Sequence, residues 1–224
     1  FYRRRGRRIL PLYMATLLIA FGLGPLLPGA LHHNPEGLDL WRFATLTHNF
    51  SAQPFWSWIL TPSWSLGVEA HFYLLWPVLL LRVPRNHLGK VLVTIVVGLP
   101  VFKLLALQQI PLEGLIYHVT PFRLDDFAAG AFVAWAQLHP ERWSPERLRQ
   151  LSFGLSPLAF IGLMALAWVD PVAPLLGIER PGLAVAGFSC LALGFGGWVG
   201  LAVTGFPKVI RFLLSHPLPV WLGR

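Results

Sequence analysis

The stretch Thr61-Pro62-Ser63-Trp64-Ser65-Leu66-Gly67-Val68-Glu69-Ala70-His71-Phe72-Tyr73-Leu74-Leu75-Trp76-Pro77 decides how this chain is to be read. It opens as a turn, continues almost wholly apolar, and carries one carboxylate, Glu69. An ionised carboxylate in an apolar segment is costly unless a cation, a hydrogen-bond network or a proton accompanies it. Glu69 therefore calls for a partner elsewhere in the chain.

The flanking sequence explains why so apolar a segment is there at all. Of the 224 residues, 55% are hydrophobic and 12% charged, against roughly 25% charged in an ordinary soluble domain. The mean hydropathy is +0.59. Apolar runs are continuous rather than alternating, so an all-α, polytopic transmembrane bundle is expected and a β-barrel is not. About six spans are long enough to cross a bilayer, at 9–27, 64–81, 91–107, 115–138, 151–169 and 182–204. Pro11 falls in the first turn of the first span, where a missing N–H costs little. Phe55, Trp56 and Trp58 read as an interfacial aromatic belt. The Gly and Ala content of the last span allows close helix approach. No repeat or low-complexity linker divides residues 1–224, which read as one membrane domain.

A net charge of +8 raises the question of nucleic acid. Its distribution answers otherwise. Thirteen of the 18 Lys and Arg fall in connections on one side of the predicted topology and two on the other. That asymmetry is the mark of basic cytoplasmic loops, so the N-terminus is read as cytoplasmic and the lipid bilayer, with no nucleic acid, as the surroundings. Cys190 stands alone, which excludes an internal disulfide, and reads as packing.

In this orientation Glu69 lies about 6–8 Å inside the outer boundary, and Arg123, Asp125 and Asp126 roughly 12–17 Å, at 1.5 Å per residue. Lys103 is near the outer end of the third span. Charge from three spans implies a shared polar cavity in which these groups pair, with Arg123 the expected counter-charge of Glu69. For Lys103 alone, a packing pair or snorkelling to the interface suffices. Arg5 and Arg8, three residues apart at a helix start, share a face and can grip phosphates; the plainer reading of the cluster Arg3–Arg8 is a topology signal that touches anionic lipid. His32, His33 and His48 lack carboxylate or thiolate companions at ligand spacing, so no metal site is expected. His71, two residues from Glu69, does not share its helix face, and a Glu–His dyad is not expected.

Three motifs resemble a known family. Arg4-Arg5-Gly6-Arg7-Arg8-Ile9-Leu10-Pro11-Leu12-Tyr13 resembles the R-R-x-x-R-I-x-P-x-Y segment of the acyltransferase 3 family of integral-membrane O-acyltransferases. Trp64-Ser65-Leu66-x-x-Glu69-x-x-Phe72-Tyr73-Leu74 resembles its W-S-L-x-x-E-x-x-F-Y-L signature, and Arg123-Leu124-Asp125-x-x-x-x-Gly130 a later R-L-D-x-x-x-x-G element. The resemblance implies transfer of an acyl group, often acetyl, from acyl-CoA as co-substrate to a hydroxyl of an envelope or exported glycan, with no resident cofactor and no metal, in the bacterial inner membrane. It also implies that the chain is part of a longer domain of about ten spans, whose catalytic histidine precedes the arginine motif, and that this part is inactive alone. Carried over residue by residue, it implies a catalytic role for Glu69, CoA contacts at Arg5 and Arg8, and substrate contacts at Trp64, Ser65, Tyr73, Arg123 and Asp125.

Two other classes remain open on the sequence. Intramembrane charge also suits a transporter or flippase, although no inverted repeat is evident. A membrane anchor would need none of these charges.

Overall fold

The computed structural model describes residues 2–23, 39–50, 60–108, 115–171 and 180–222. Among these the chain is helical, with no strand. His32, His33, Phe55, Trp56 and Trp58, singled out in the sequence, lie outside the described residues. Among the described residues five helices are long and apolar enough to cross a membrane: Tyr2–Leu23, Trp64–Arg82, Arg85–Ala106, Pro145–Val169 and Pro181–Thr204. The chain is an all-α bundle built as an integral membrane protein.

Helix α1 (Tyr2–Leu17) runs into a π-helical turn, Leu18–Leu23. It begins seven residues earlier than the sequence predicts, because arginine is a good helix former and the basic cluster winds into the first two turns. Pro11 is accordingly in the helix interior, not its first turn. Pro77, Pro100 and Pro157 are likewise interior to later helices, as is tolerated where neighbouring groups re-satisfy the freed carbonyls. Tyr13 donates its hydroxyl to the Phe43 carbonyl at 2.8 Å, which fastens α1 to the short helix α2 (Leu40–Ala44). Tyr13, Leu17, Ala20, Phe43 and Leu60 form the buried cluster behind that bond.

Helix α3 (Trp64–Arg82) contains the opening stretch, and α4 (Arg85–Ala106) follows after Val83 and Pro84. Despite this tight connection the two do not pack along their lengths. The fourth predicted span is not continuous. It is α5 (Leu115–His118), a 3₁₀ turn (Thr120–Arg123) and α6 (Leu124–Gln137). Pro121 has no N–H with which to continue the ladder of α5, so the helix breaks just ahead of it at the extended Val119, and Pro121 sits in the first turn of the 3₁₀ segment, where a missing N–H costs little. At 14 residues, or about 21 Å, α6 is too short to cross the hydrocarbon by itself.

Helix α6 is the hub, packed between α4 and α8 (Pro181–Thr204), and α8 pairs closely with α7 (Pro145–Val169). Ser144 caps α7, accepting from the Arg147 N–H at 3.3 Å, with Pro145 at the first position. This starts α7 within what the sequence shows as a charged connection. A Cβ on Gly197 would lie 2.9 Å from that of Ser156, so the two helices approach through small residues, as predicted for the last span. Short helices α9 (Lys208–Leu214) and α10 (Pro217–Leu222) complete the described chain.

One ion pair ties α4 to α6. Lys103 is fully buried, and its ammonium donates to both oxygens of Asp125 at 3.0 and 2.8 Å. Lys103 thus takes the packing role and does not snorkel. Removing one member leaves the other charged and dry, so Lys103→Met is expected to lose about 3–5 kcal/mol, while Lys103→Met with Asp125→Leu recovers most of it. Thermal unfolding of the detergent-solubilised protein reads both.

His48, outside the spans, is buried, stacked on Phe43 at 4.4 Å and 3.0 Å from the Ser63 hydroxyl. Burial pushes its imidazole down from 6.5 to about 4, against the smaller pull of its hydrogen bonds. The unfolded chain then binds the extra proton first. His48 is expected to contribute full stability above pH 6.5, with that contribution lost as pH falls from 6.5 through 4; His48→Gln flattens this part of a melting-temperature profile.

Candidate functional site

Tyr73 lies nine residues from either end of α3, near mid-span. Its hydroxyl donates to Glu69 Oε1, one helical turn back. The partner that Glu69 calls for is thus first of all a phenol on its own helix. The Arg5 guanidinium lies 4.9 Å from the centroid of the same Tyr73 ring, and Arg8 is within electrostatic reach. The first and second sequence motifs therefore meet, with Tyr73 as the shared contact.

This differs from the sequence reading, which put the arginines at the cytoplasmic face and Glu69 near the outer one. Because α1 is helical from Tyr2 and runs antiparallel to α3, Arg5 reaches the level of mid-α3. Arg5 is half-buried there, whereas Arg8 is exposed. The expected Glu69–Arg123 pair does not form: Arg123 binds Asp126, one turn along, at 2.7 Å. Helix geometry explains the outcome, since residues three apart share a face while Glu69 is committed to Tyr73.

Arg123 instead centres a second cluster one turn beyond Glu69 toward the start of α3. Its guanidinium lies 4.1 Å from the Phe188 centroid on α8 and 6.0 Å from that of Trp64. Tyr117 bridges the two, 4.8 Å from Trp64 and 5.6 Å from Phe188. Arg123 Nη1 is buried and finds no hydrogen-bond partner among the described residues. A buried guanidinium with donors to spare, inside an aromatic box, is suited to a ligand oxygen. Asp125, expected among the substrate contacts, is turned instead to Lys103. Ser65 donates to the Pro62 carbonyl at 2.9 Å and stays exposed, closing its own turn. Of the charges expected to pair across spans, only Lys103 and Asp125 do so; Arg123 and Asp126 pair locally beside them, and Glu69 joins neither pair.

A third set of residues escaped the sequence reading. Asn49 Nδ2 donates to the His118 carbonyl at 3.1 Å and to Thr120 Oγ1 at 2.9 Å, and Thr120 Oγ1 lies 2.8 Å from His71 Nδ1. The network pins the 39–50 segment to the helix break and to α3. Its members are far apart in sequence and carry no spacing signal. Leu46, at a φ of 60°, directs its carbonyl at Gly67, where a Cβ would lie 2.9 Å from that oxygen and 3.0 Å from Asn49 Oδ1. Glycine is required at this approach. His71 thus faces Thr120 and not Glu69, as their spacing predicts.

The chain matches no protein-family model, no curated protein and no solved structure.

Proposed function

We propose that the protein is a membrane-bound O-acyltransferase domain that moves an acyl group, often acetyl, from acyl-CoA to a hydroxyl of an envelope or exported glycan. The observation that carries this reading is the convergence of Arg5 and Glu69 on Tyr73, midway along α3: a cationic group suited to a polyanionic donor and a carboxylate suited to an acceptor hydroxyl share one side chain. In the reaction the acceptor oxygen attacks the thioester carbonyl, the C–S bond breaks, and the hydroxyl proton leaves with the thiol. Arg5 and Arg8 hold the donor's phosphates. Glu69 uses one oxygen for Tyr73, and the other orients the attacking hydroxyl. Trp64 and the spare donors of Arg123 grip the acceptor's ring oxygens. The basic connections lie in the cytoplasm and the membrane is a bacterial inner one.

Glu69→Gln is expected to abolish acyl transfer in the complete protein with no loss of folded material by size-exclusion; full activity in that variant removes Glu69 from the mechanism. Arg5→Ala is expected to raise the KM for acyl-CoA about tenfold, the worth of one charge-assisted contact. Arg123→Ala raises the KM for the acceptor and leaves the donor KM alone. Labelled acetyl-CoA and membrane-extracted glycan serve for both measurements.

A second reading rests on the break at Thr120-Pro121, since discontinuous helices beside intramembrane charge are a feature of transporters. Acyl transfer by detergent-purified protein, with no gradient, decides against it.

A further inference from the structure

Because the backbone of α3 stands away from α4 and α6, with aromatic side chains reaching across, a cleft of about 990 Å³ opens among the three helices. Its floor is a single stripe of α6. Asp126, Gly130, Ala134 and Leu138, four residues apart, all line it. The stripe ends beside His139, about 20 Å from Asp126 at 1.5 Å per residue. That is somewhat more than one leaflet's share of a hydrocarbon core about 30 Å thick. Gly130 leaves the middle of the floor bare: a Cβ there would meet nothing within 4 Å. Aromatic rings make one wall, with Phe72 stacked on Phe127 at 4.0 Å and on Trp76 at 5.0 Å.

The two ends differ. Asp126, the one carboxylate in the lining, is at the far end and is neutralised by Arg123. The near end carries Arg85 and His139, and an adjoining cleft that shares Phe72, Trp76 and Phe127 has Arg82 at its lip. The His139 ring donates from Nδ1 to the Trp135 carbonyl at 2.8 Å, which leaves Nε2 at the opposite edge. The indole N–H of Trp135, lining the same end, is buried without a partner among the described residues. Cations and a spare donor thus collect where the cleft meets the basic connections, and between the ends the lining is hydrocarbon and aromatic.

We propose that this cleft binds one anionic phospholipid, its acyl chain laid along the α6 stripe and its phosphate held at Arg82, Arg85 and His139. A gap between spanning helices at membrane depth has to be filled by something apolar, and basic pockets between helices at the cytoplasmic side recognise anionic headgroups. A pantetheine arm fits less well, because its amides would be buried along the middle of the cleft, where Gly130, Ala131, Ala134, Phe127 and Leu88 offer no polar side chain to meet them. The inference needs only the membrane architecture and is independent of the acyl-transfer reading.

The test uses the purified protein in nanodiscs of equimolar phosphatidylglycerol and phosphatidylcholine, extracted into mild detergent, with retained lipid counted by native mass spectrometry. One phosphatidylglycerol is expected to be kept in preference to phosphatidylcholine. Arg82→Gln and Arg85→Gln should each reduce that preference about fivefold. Gly130→Phe, whose Cβ would meet nothing within 4 Å and whose ring would enter the cleft, should expel the lipid while the protein still melts cooperatively. Equal retention of the two lipids overturns the proposal, as does phosphatidylglycerol retention unchanged by Gly130→Phe. Retention of palmitoyl-CoA in place of phospholipid, abolished by Gly130→Phe, also overturns it and assigns the cleft to a thioester.

Discussion

An ammonium and a carboxylate cannot be left apart in hydrocarbon, and Lys103 and Asp125 meet that constraint only by bringing α4 and α6 together. The rest of the bundle follows from where this places α6. Held on one side by the ion pair, the alanine-rich helix offers its other side to α8, which in turn takes α7 through glycine and serine. The neighbouring Arg123–Asp126 pair starts the same helix, so charge neutrality and helix position are fixed in one turn of chain. A polar core of this kind gives register where hydrophobic contact alone, equally available from lipid, cannot.

Helix α3 is held differently. Its backbone approaches the 39–50 segment and the 3₁₀ turn at the helix break, and reaches α4 and α6 only through long side chains such as Phe72 and Trp76. Its polar residues therefore look two ways. Tyr73, bonded to Glu69, turns to Arg5 of α1, and Trp64 turns to the box around Arg123. The two clusters are offset along one rigid helix, nine residues or about 13 Å from Trp64 to Tyr73.

Much of the fold was legible in continuous apolar runs. The helices at 64–82, 85–106 and 181–204 differ from the expected spans by a few residues, because hydropathy locates the hydrocarbon and not the helix ends. The two places that misled were ends of another kind. Arginine and proline near the start of α1 looked like its boundary, yet arginine propagates a helix as readily as leucine does. Hence Arg5 reached Tyr73 when it was expected at the surface. At Pro121 the reverse held: hydropathy ran straight through a true break. For the site, charge in the membrane correctly marked residues that pair, but which charge takes which partner depends on helix rotation. The Asn49–Thr120–His71 set was illegible because its members lie far apart in sequence and are not spaced as a motif.

The approach at Gly67 has a mechanical meaning. Backbone carbonyl and amide oxygen rest directly on the α3 backbone there, while the same Asn49 side chain is bound to the residues that end α5 and begin the 3₁₀ turn. No side chain intervenes to absorb displacement. The 39–50 segment, α3 and the broken helix, from distant parts of the sequence, are thereby joined at a single point by backbone contact and hydrogen bonds. Glycine at this position is what makes the joint stiff.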